Sequence, residues 1–238
     1  MRNGIVIAAA ALVAAGGCSQ GHAESGPSVQ RQYQVSGFDR IAVAGPYDVK
    51  VVTGRPPAVS AHGSQALIDR LVVEVRNGEL MIHPRKERSF NWNGVHGSAV
   101  VEVSAQMIRG LALAGAGDVT IDRIAGDRFE SSIAGAGDLT IGSVAVQSLD
   151  VNIGGAGDVR AKSGQARTAS YSIAGSGEID AAGVKVTAAK ISIAGSGNIR
   201  GQVSGAADVS IVGSGDVALS GGAKCSVSKL GSGDVRCS

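Results

Sequence analysis

Aromatic side chains make up only 3% of this 238-residue chain. A broad core built on Phe, Tyr and Trp is therefore excluded, and a thin one filled with Val, Ile, Leu and Ala is left. Charge is scarce too: 18% of residues are charged, and 22 Lys plus Arg nearly cancel 20 Asp plus Glu. The net charge of +2 gives no electrostatic case for a nucleic-acid partner. The four histidines, His22, His62, His83 and His96, all precede the repetitive half of the chain. No Ser–His–Asp or metal-ligand spacing stands out, so the residues call for no metal, no cofactor and no enzyme. Beyond the N-terminus there is no strongly apolar run of about 18 residues, and no internal membrane span is expected.

Glycine, in contrast, is abundant and periodic, with 36 copies. A turn motif occurs seven times: Gly115-Ala-Gly-Asp118, Gly135-Ala-Gly-Asp138, Gly155-Ala-Gly-Asp158, Gly175-Ser-Gly-Glu178, Gly195-Ser-Gly-Asn198, Gly213-Ser-Gly-Asp216 and Gly231-Ser-Gly-Asp234. Its first Gly recurs at steps of 20, 20, 20, 20, 18 and 18 residues. A fixed period near this length is the signature of a solenoid, with one coil per repeat. The flanking runs, such as Val119-Thr-Ile121 and Ile191-Ser-Ile193, alternate with the period of a half-buried strand. Two residues before the first Gly of the first six motifs stand Leu113, Ile133, Ile153, Ile173, Ile193 and Ile211. Four residues after it stand Val119, Leu139, Val159, Ile179, Ile199, Val217 and Val235. Stacked coils would turn both columns inward, with strands about 4.8 Å apart and the seven rungs extending roughly 34 Å. The expected fold is all-β, a parallel β-helix or β-solenoid with 18–20 residues per coil and an irregular N-terminal portion. Glycine-rich disorder fails because a random linker carries no aliphatic columns, and 44% of this chain is hydrophobic.

The start of the chain reads as a targeting segment. Met1-Arg2-Asn3 precedes an apolar run ending in Ala15-Gly16-Gly17-Cys18. This pattern is similar to a bacterial lipobox, in which the Cys becomes the lipid-modified first residue of the mature protein. The expected organisation is a signal peptide at 1–17, Cys18 and a flexible tether at 18–34, and one solenoid domain at 35–238 with regular coils from about 100. Ser19 after the Cys favours the outer membrane by analogy with Gram-negative lipoproteins, so outer-membrane lipid is an expected partner. Ordinary cleavage, for instance after Ala23, would instead give a soluble exported protein. Cys225 and Cys237 lie six residues before and after Gly231, in columns otherwise largely apolar. In an oxidising compartment a Cys225–Cys237 disulfide closing the C-terminal edge is the expected reading.

Further upstream, Gly45-Pro-Tyr-Asp48 within Phe38–Val51 repeats the turn spacing as a degenerate first coil. Arg76-Asn77-Gly78-Glu79 between Leu71–Val75 and Leu80–Ile82 is a hairpin signal. Together, the Phe38-Asp-Arg-Ile opening, Gly45-Pro-Tyr-Asp-Val-Lys-Val51, Leu80-Met-Ile and the serial Gly-Ser-Gly-Asp coils resemble the GIN domain, the auto-transporter adhesin head family. The resemblance covers nearly the whole mature chain. It implies a β-helical fold and export to the bacterial envelope.

Two constellations could carry chemistry. The turn column Asp118, Asp138, Asp158, Glu178, Asn198, Asp216 and Asp234 could bind cations, since like carboxylates near 5 Å apart repel by about 1 kcal/mol at high dielectric. The alternative is that each side chain accepts backbone N–H bonds inside its own turn, a task Asn198 shares with Asp; this structural reading is preferred. Calcium-binding nonapeptide repeats are not matched, because here Asp follows Gly directly and the period is twenty. The segment from His83 to Gly97 holds the only Trp. Its Arg85, Arg88, Phe90, Trp92 and His96 could stack on a sugar or grip an acidic glycan. The alternative is an insertion whose aromatics cover the N-terminal end of the solenoid. The function expected from all this is a non-catalytic, adhesin-like envelope module binding protein or glycan at the bacterial surface. Its rivals are a periplasm-facing structural lipoprotein and a β-helical polysaccharide-cleaving enzyme.

Overall fold

The twenty-residue period becomes a twenty-residue pairing register. In the computed structural model, which describes residues 28–85 and 98–238, Leu139 pairs with Val119, Ile153 with Ile133 and Gly155 with Gly135. All coil-to-coil pairings are parallel, and the chain forms a β-solenoid of about 6 turns.

The N-terminal part supplies β1 (Ser28–Tyr33), β2 (Arg40–Gly45), β3 (Asp48–Thr53) and β4 (Ala58–Ser64). A single helical turn, α1 (Gln65–Ile68), leads to the hairpin β5 (Leu71–Arg76) and β6 (Glu79–Pro84). After β7 (Ala99–Ala105) and β8 (Gly110–Gly115) the long strands β9 (Val119–Gly135) and β10 (Leu139–Gly155) follow. The remaining strands are β11 (Val159–Ala161), β12 (Gly164–Gly175), β13 (Glu178–Gly195), β14 (Asn198–Val203), β15 (Ala206–Gly213), β16 (Val217–Ser220), β17 (Lys224–Leu230) and β18 (Val235–Cys237).

Within a coil the pairing skips two places. Between β9 and β10 the register omits Asp122/Gly142 and Asp127/Gln147. These corners and the Gly turn divide each coil into three short faces. One coil turns Val119, Ile121, Ile124, Phe129, Ser131 and Ile133 inward, all at 0–1% exposure. The core is filled by complementary volumes across coils. Ser131 shares its coil with the large Ile121 and Phe129, whereas Tyr171, in register with Val151 and Ile191 of the same column, shares its coil with Ala161 and Ala169. A Cβ on Gly201 would come within 3.9 Å of the Tyr171 ring. The few aromatics are thus placed where neighbouring columns shrink to Ala or Gly, which keeps interior packing dense. The Tyr171 hydroxyl has no hydrogen-bond partner, and burial pushes its pKa well above the ordinary tyrosine value.

Both turn glycines are required. The first has φ near +130° along the stack, for example Gly175 at +141°, and a Cβ there would lie 2.1 Å from the Gly155 carbonyl oxygen. At the second, Gly177, a Cβ would lie 2.2 Å from the Gly157 carbonyl oxygen although φ is ordinary. Backbone approaching backbone at β spacing leaves no room for a side chain.

The first coil follows the expected register but not the expected path. Gly45 pairs directly with Gly115, and β3 pairs with β9. The residues between them do not lead into the regular stack from its start. They fold onto the opposite side of the first coil, where β6 pairs with β2 and β7 with β3. From there the sheet turns antiparallel, β4 against β7, β1 against β4 and β5 against β6. Asn77 (φ 52°) and Gly78 (φ 79°) make the hairpin turn with both central residues left-handed. Leu67, Ile68 and Leu71 are buried beneath this cap.

The other end is uncovered. Cys225 and Cys237 continue the inward columns of Ala207 and Leu219 and are joined by a disulfide, with Cα atoms 6.6 Å apart. Among the described residues no further coil covers them, so Cys225 is half-buried and Cys237 exposed rather than interior. Val227, the last member of the Tyr171 column, is 48% exposed, and Leu230 is 72% exposed. Lys229 takes the column position of Ile211, and its Nζ donates to the Gly233 carbonyl at 2.7 Å. A lysine and a disulfide on the terminal coil discourage pairing with another chain.

Candidate functional site

The acidic turn column is a hydrogen-bonded ladder. The N–H of Asp138 donates to Asp118 Oδ1 (3.1 Å), that of Asp158 to Asp138 Oδ1 (2.9 Å), and that of Glu178 to Asp158 Oδ1 (2.9 Å). It resumes with the N–H of Asp216 on Asn198 Oδ1 (3.2 Å) and of Asp234 on Asp216 Oδ1 (2.8 Å). The acceptors therefore serve the next coil and not their own turn, as the sequence suggested. Asp48 of the first coil begins the series by accepting from the N–H of Asp118 at 3.3 Å. Glu178 is one methylene too long for the job. The N–H of Asn198 donates to the Gly177 carbonyl instead (3.1 Å), and the Glu178 carboxylate turns to Arg200. The rest of the turn is paired as well: Ala156 N–H donates to the Gly135 carbonyl and Ser176 N–H to that of Gly155, both at 2.9 Å. Among the described residues no group of three or more His, Cys, Asp or Glu side chains is arranged to hold a metal ion.

Of the five candidate binding residues, only Arg85 is described. It is exposed, and its N–H donates to the Arg70 carbonyl at 2.8 Å, tying the end of β6 to the second residue after α1. Arg88, Phe90, Trp92 and His96 lie outside the described residues, as does Cys18.

The cap buries one unusual residue. Tyr47 stands where the next coil has Gly117, is fully buried, and has a hydroxyl with no hydrogen-bond partner. Burial, reinforced by nearby Tyr33 and opposed by Arg70, pushes its pKa up to about 12.

Two grooves flank the cap. One, of about 570 Å³, has Ala42, Ala44, Ala112 and Ala114 as its floor and Met81 and Pro84 in its wall. At its rim Glu74 lies 3.4 Å from His83 Nε2 and 2.9 Å from Arg76. Desolvation raises the Glu74 pKa, but the hydrogen bonds of His83 and Arg76 outweigh it and hold the carboxyl below its ordinary value. The other groove, of about 520 Å³, runs across the outer face of β3, β7, β4 and β1 and carries Gln32, Lys50, Arg55 and Glu102. No motif marks these residues. They come from three strands and the loop after β3, and the order of those strands in space differs from their order in the chain.

The family described as "Putative auto-transporter adhesin, head GIN domain" matches residues 37–223. The chain belongs to this family. Among solved structures, a putative adhesin from Bacteroides fragilis NCTC 9343 is 23% identical with a TM-score of 0.77, the match covering 89% of this chain and 97% of that one. A protein from Parabacteroides distasonis ATCC 8503, described as a putative lipid binding protein, is 25% identical with a TM-score of 0.68, covering 90% and 97%. A putative adhesin from Parabacteroides merdae ATCC 43184 is 18% identical with a TM-score of 0.69, covering 90% and 97%. Among curated proteins none matches. The GIN-domain chain is thus an adhesin-like β-solenoid.

Proposed function

We propose that this GIN-domain chain is an exported, non-catalytic module of the bacterial envelope, held at the outer membrane by a lipid on Cys18, which contacts protein or glycan through its side-chain surface. The observation that carries the reading is the coil-to-coil pairing of the turns. The carboxylates that could have formed a catalytic or cation-binding row accept backbone N–H bonds instead. A stack stabilised in this way is a rigid support, and contact falls to outward side chains that the fold does not use. Family membership and adhesin-like neighbours point the same way.

Protease shaving of intact and lysed cells tests this, with a Cys18→Ala variant beside the parent. Cleavage on intact cells, with release of the variant into the medium, is expected. Protection of the parent until lysis would sink the surface reading in favour of the periplasm-facing one.

A further inference from the structure

We infer that the groove across β3, β7, β4 and β1 is a binding site for a carboxylate-bearing saccharide. This deepens the binding-module reading above and rests on it.

Its polar chemistry is divided in a way that suits such a ligand. Two cations, Lys50 and Arg55, line it, and neither side chain makes a hydrogen bond or ion pair among the described residues. Lys50 is in register with Glu102 on the adjacent strand, yet the two do not pair. Exposed cations that their own carboxylate neighbour leaves free are available to a ligand carboxylate, and Arg can take it through two parallel N–H bonds. Glu102, acceptor-only when ionised, is fit for a sugar diol, and the amides of Gln32 and Gln34 can donate to and accept from hydroxyls. The apolar lining left accessible between them is Val35, Val52, Pro57 and Ala58, which suits the C–H face of a sugar ring.

The groove is also held in shape before anything binds. The loop after β3 forms its wall. Thr53 N–H donates to Asp122 Oδ1 (2.9 Å), Gly54 N–H to the Gln106 carbonyl (3.1 Å) and Arg55 N–H to the Ala105 carbonyl (3.2 Å). Ser104 Oγ donates to the Pro56 carbonyl at 2.7 Å, and Pro57 follows in the wall. A stiff, anchored loop carrying Arg55 reduces the ordering cost of binding.

The test is a calorimetric titration of the full chain with trigalacturonate and, separately, with the neutral galactotriose. Trigalacturonate is expected to bind about tenfold more tightly, one charge-assisted contact's worth. A Lys50→Ala/Arg55→Ala double variant should lose about that tenfold for the acid and nothing for the neutral sugar. Both side chains are exposed, and an unchanged Tm of the variant checks that it folds. Equal affinity for the two sugars, an unaffected double variant, or no binding of the acid would each overturn the site. Shaving reports exposure on the cell and titration reports this groove, so the two readings fail separately.

Discussion

The regular coils and the cap solve the same problem by opposite means. From β8 onward each coil rests on a near copy of itself, so one set of contacts repeats: glycine over glycine, isoleucine over isoleucine, aspartate under the next amide. The cap has no copy to rest on. It closes the end with antiparallel strands, a helical turn and a buried tyrosine that takes a glycine's place. Repetition makes the stack rigid and intolerant of any added atom at its turns. Irregularity makes the cap locally more forgiving.

The sharpest way to break this comparison is to add one methyl group on each side of it. Gly175→Ala places a Cβ 2.1 Å from a backbone oxygen of the neighbouring coil at a positive φ, and should cost about 4 kcal/mol or more. Gly78→Ala meets nothing closer than 4.0 Å and carries only the left-handed strain, about 1–2 kcal/mol. Chemical denaturation of the two variants compares them directly, and equal losses would contradict the coil-packing account. A smaller effect separates the ladder's structural role from cation binding. Asp138→Ala should lose about 1 kcal/mol by leaving the Asp158 N–H without its acceptor, while Asp138→Asn should stay within about 0.5 kcal/mol. A metal ladder would instead suffer from Asn, and stability would then depend on chelator.

The least perturbing test is confined to the cap and reads pH. The Tyr47 pKa lies near 12 in the folded chain against 10.0 for an ordinary tyrosine. Between those values the unfolded chain binds fewer protons than the folded one, so stability falls as pH rises above 10 and the loss from this group ends near 12. In Tyr47→Phe that part of the alkaline loss should be missing from urea midpoints measured across the window. An unchanged alkaline slope would show that Tyr47 is not the group responsible.

Much of the stack could be read from spacing alone. The Ile133–Ile153–Ile173–Ile193 column, the Asn77-Gly78 hairpin and the Cys225–Cys237 pair all lie where the pattern put them, because each depends on contacts between residues at a fixed interval or close in the chain. The path of residues 54–109 was not legible. Val101–Ser104 reads like one more step into the coils, yet β7 stacks on the far side of β3. The side of a strand on which a partner pairs leaves no trace in that strand's own alternation. The destination of the aspartates was half legible. Residue type announced a backbone acceptor, while the choice between its own turn and the next coil depends on the distance between coils.

By itself, then, the sequence determined the solenoid, its period, its inward columns and the need for glycine at the turns of the regular coils, because a repeated local pattern admits one repeated solution. Only the tertiary structure decided which end is capped, which side chains the turns consume, and that Lys50, Arg55, Glu102 and Gln32 share one groove. Those outcomes depend on pairings between strands far apart in the chain, whose free energies belong to the assembled stack and not to any segment of it.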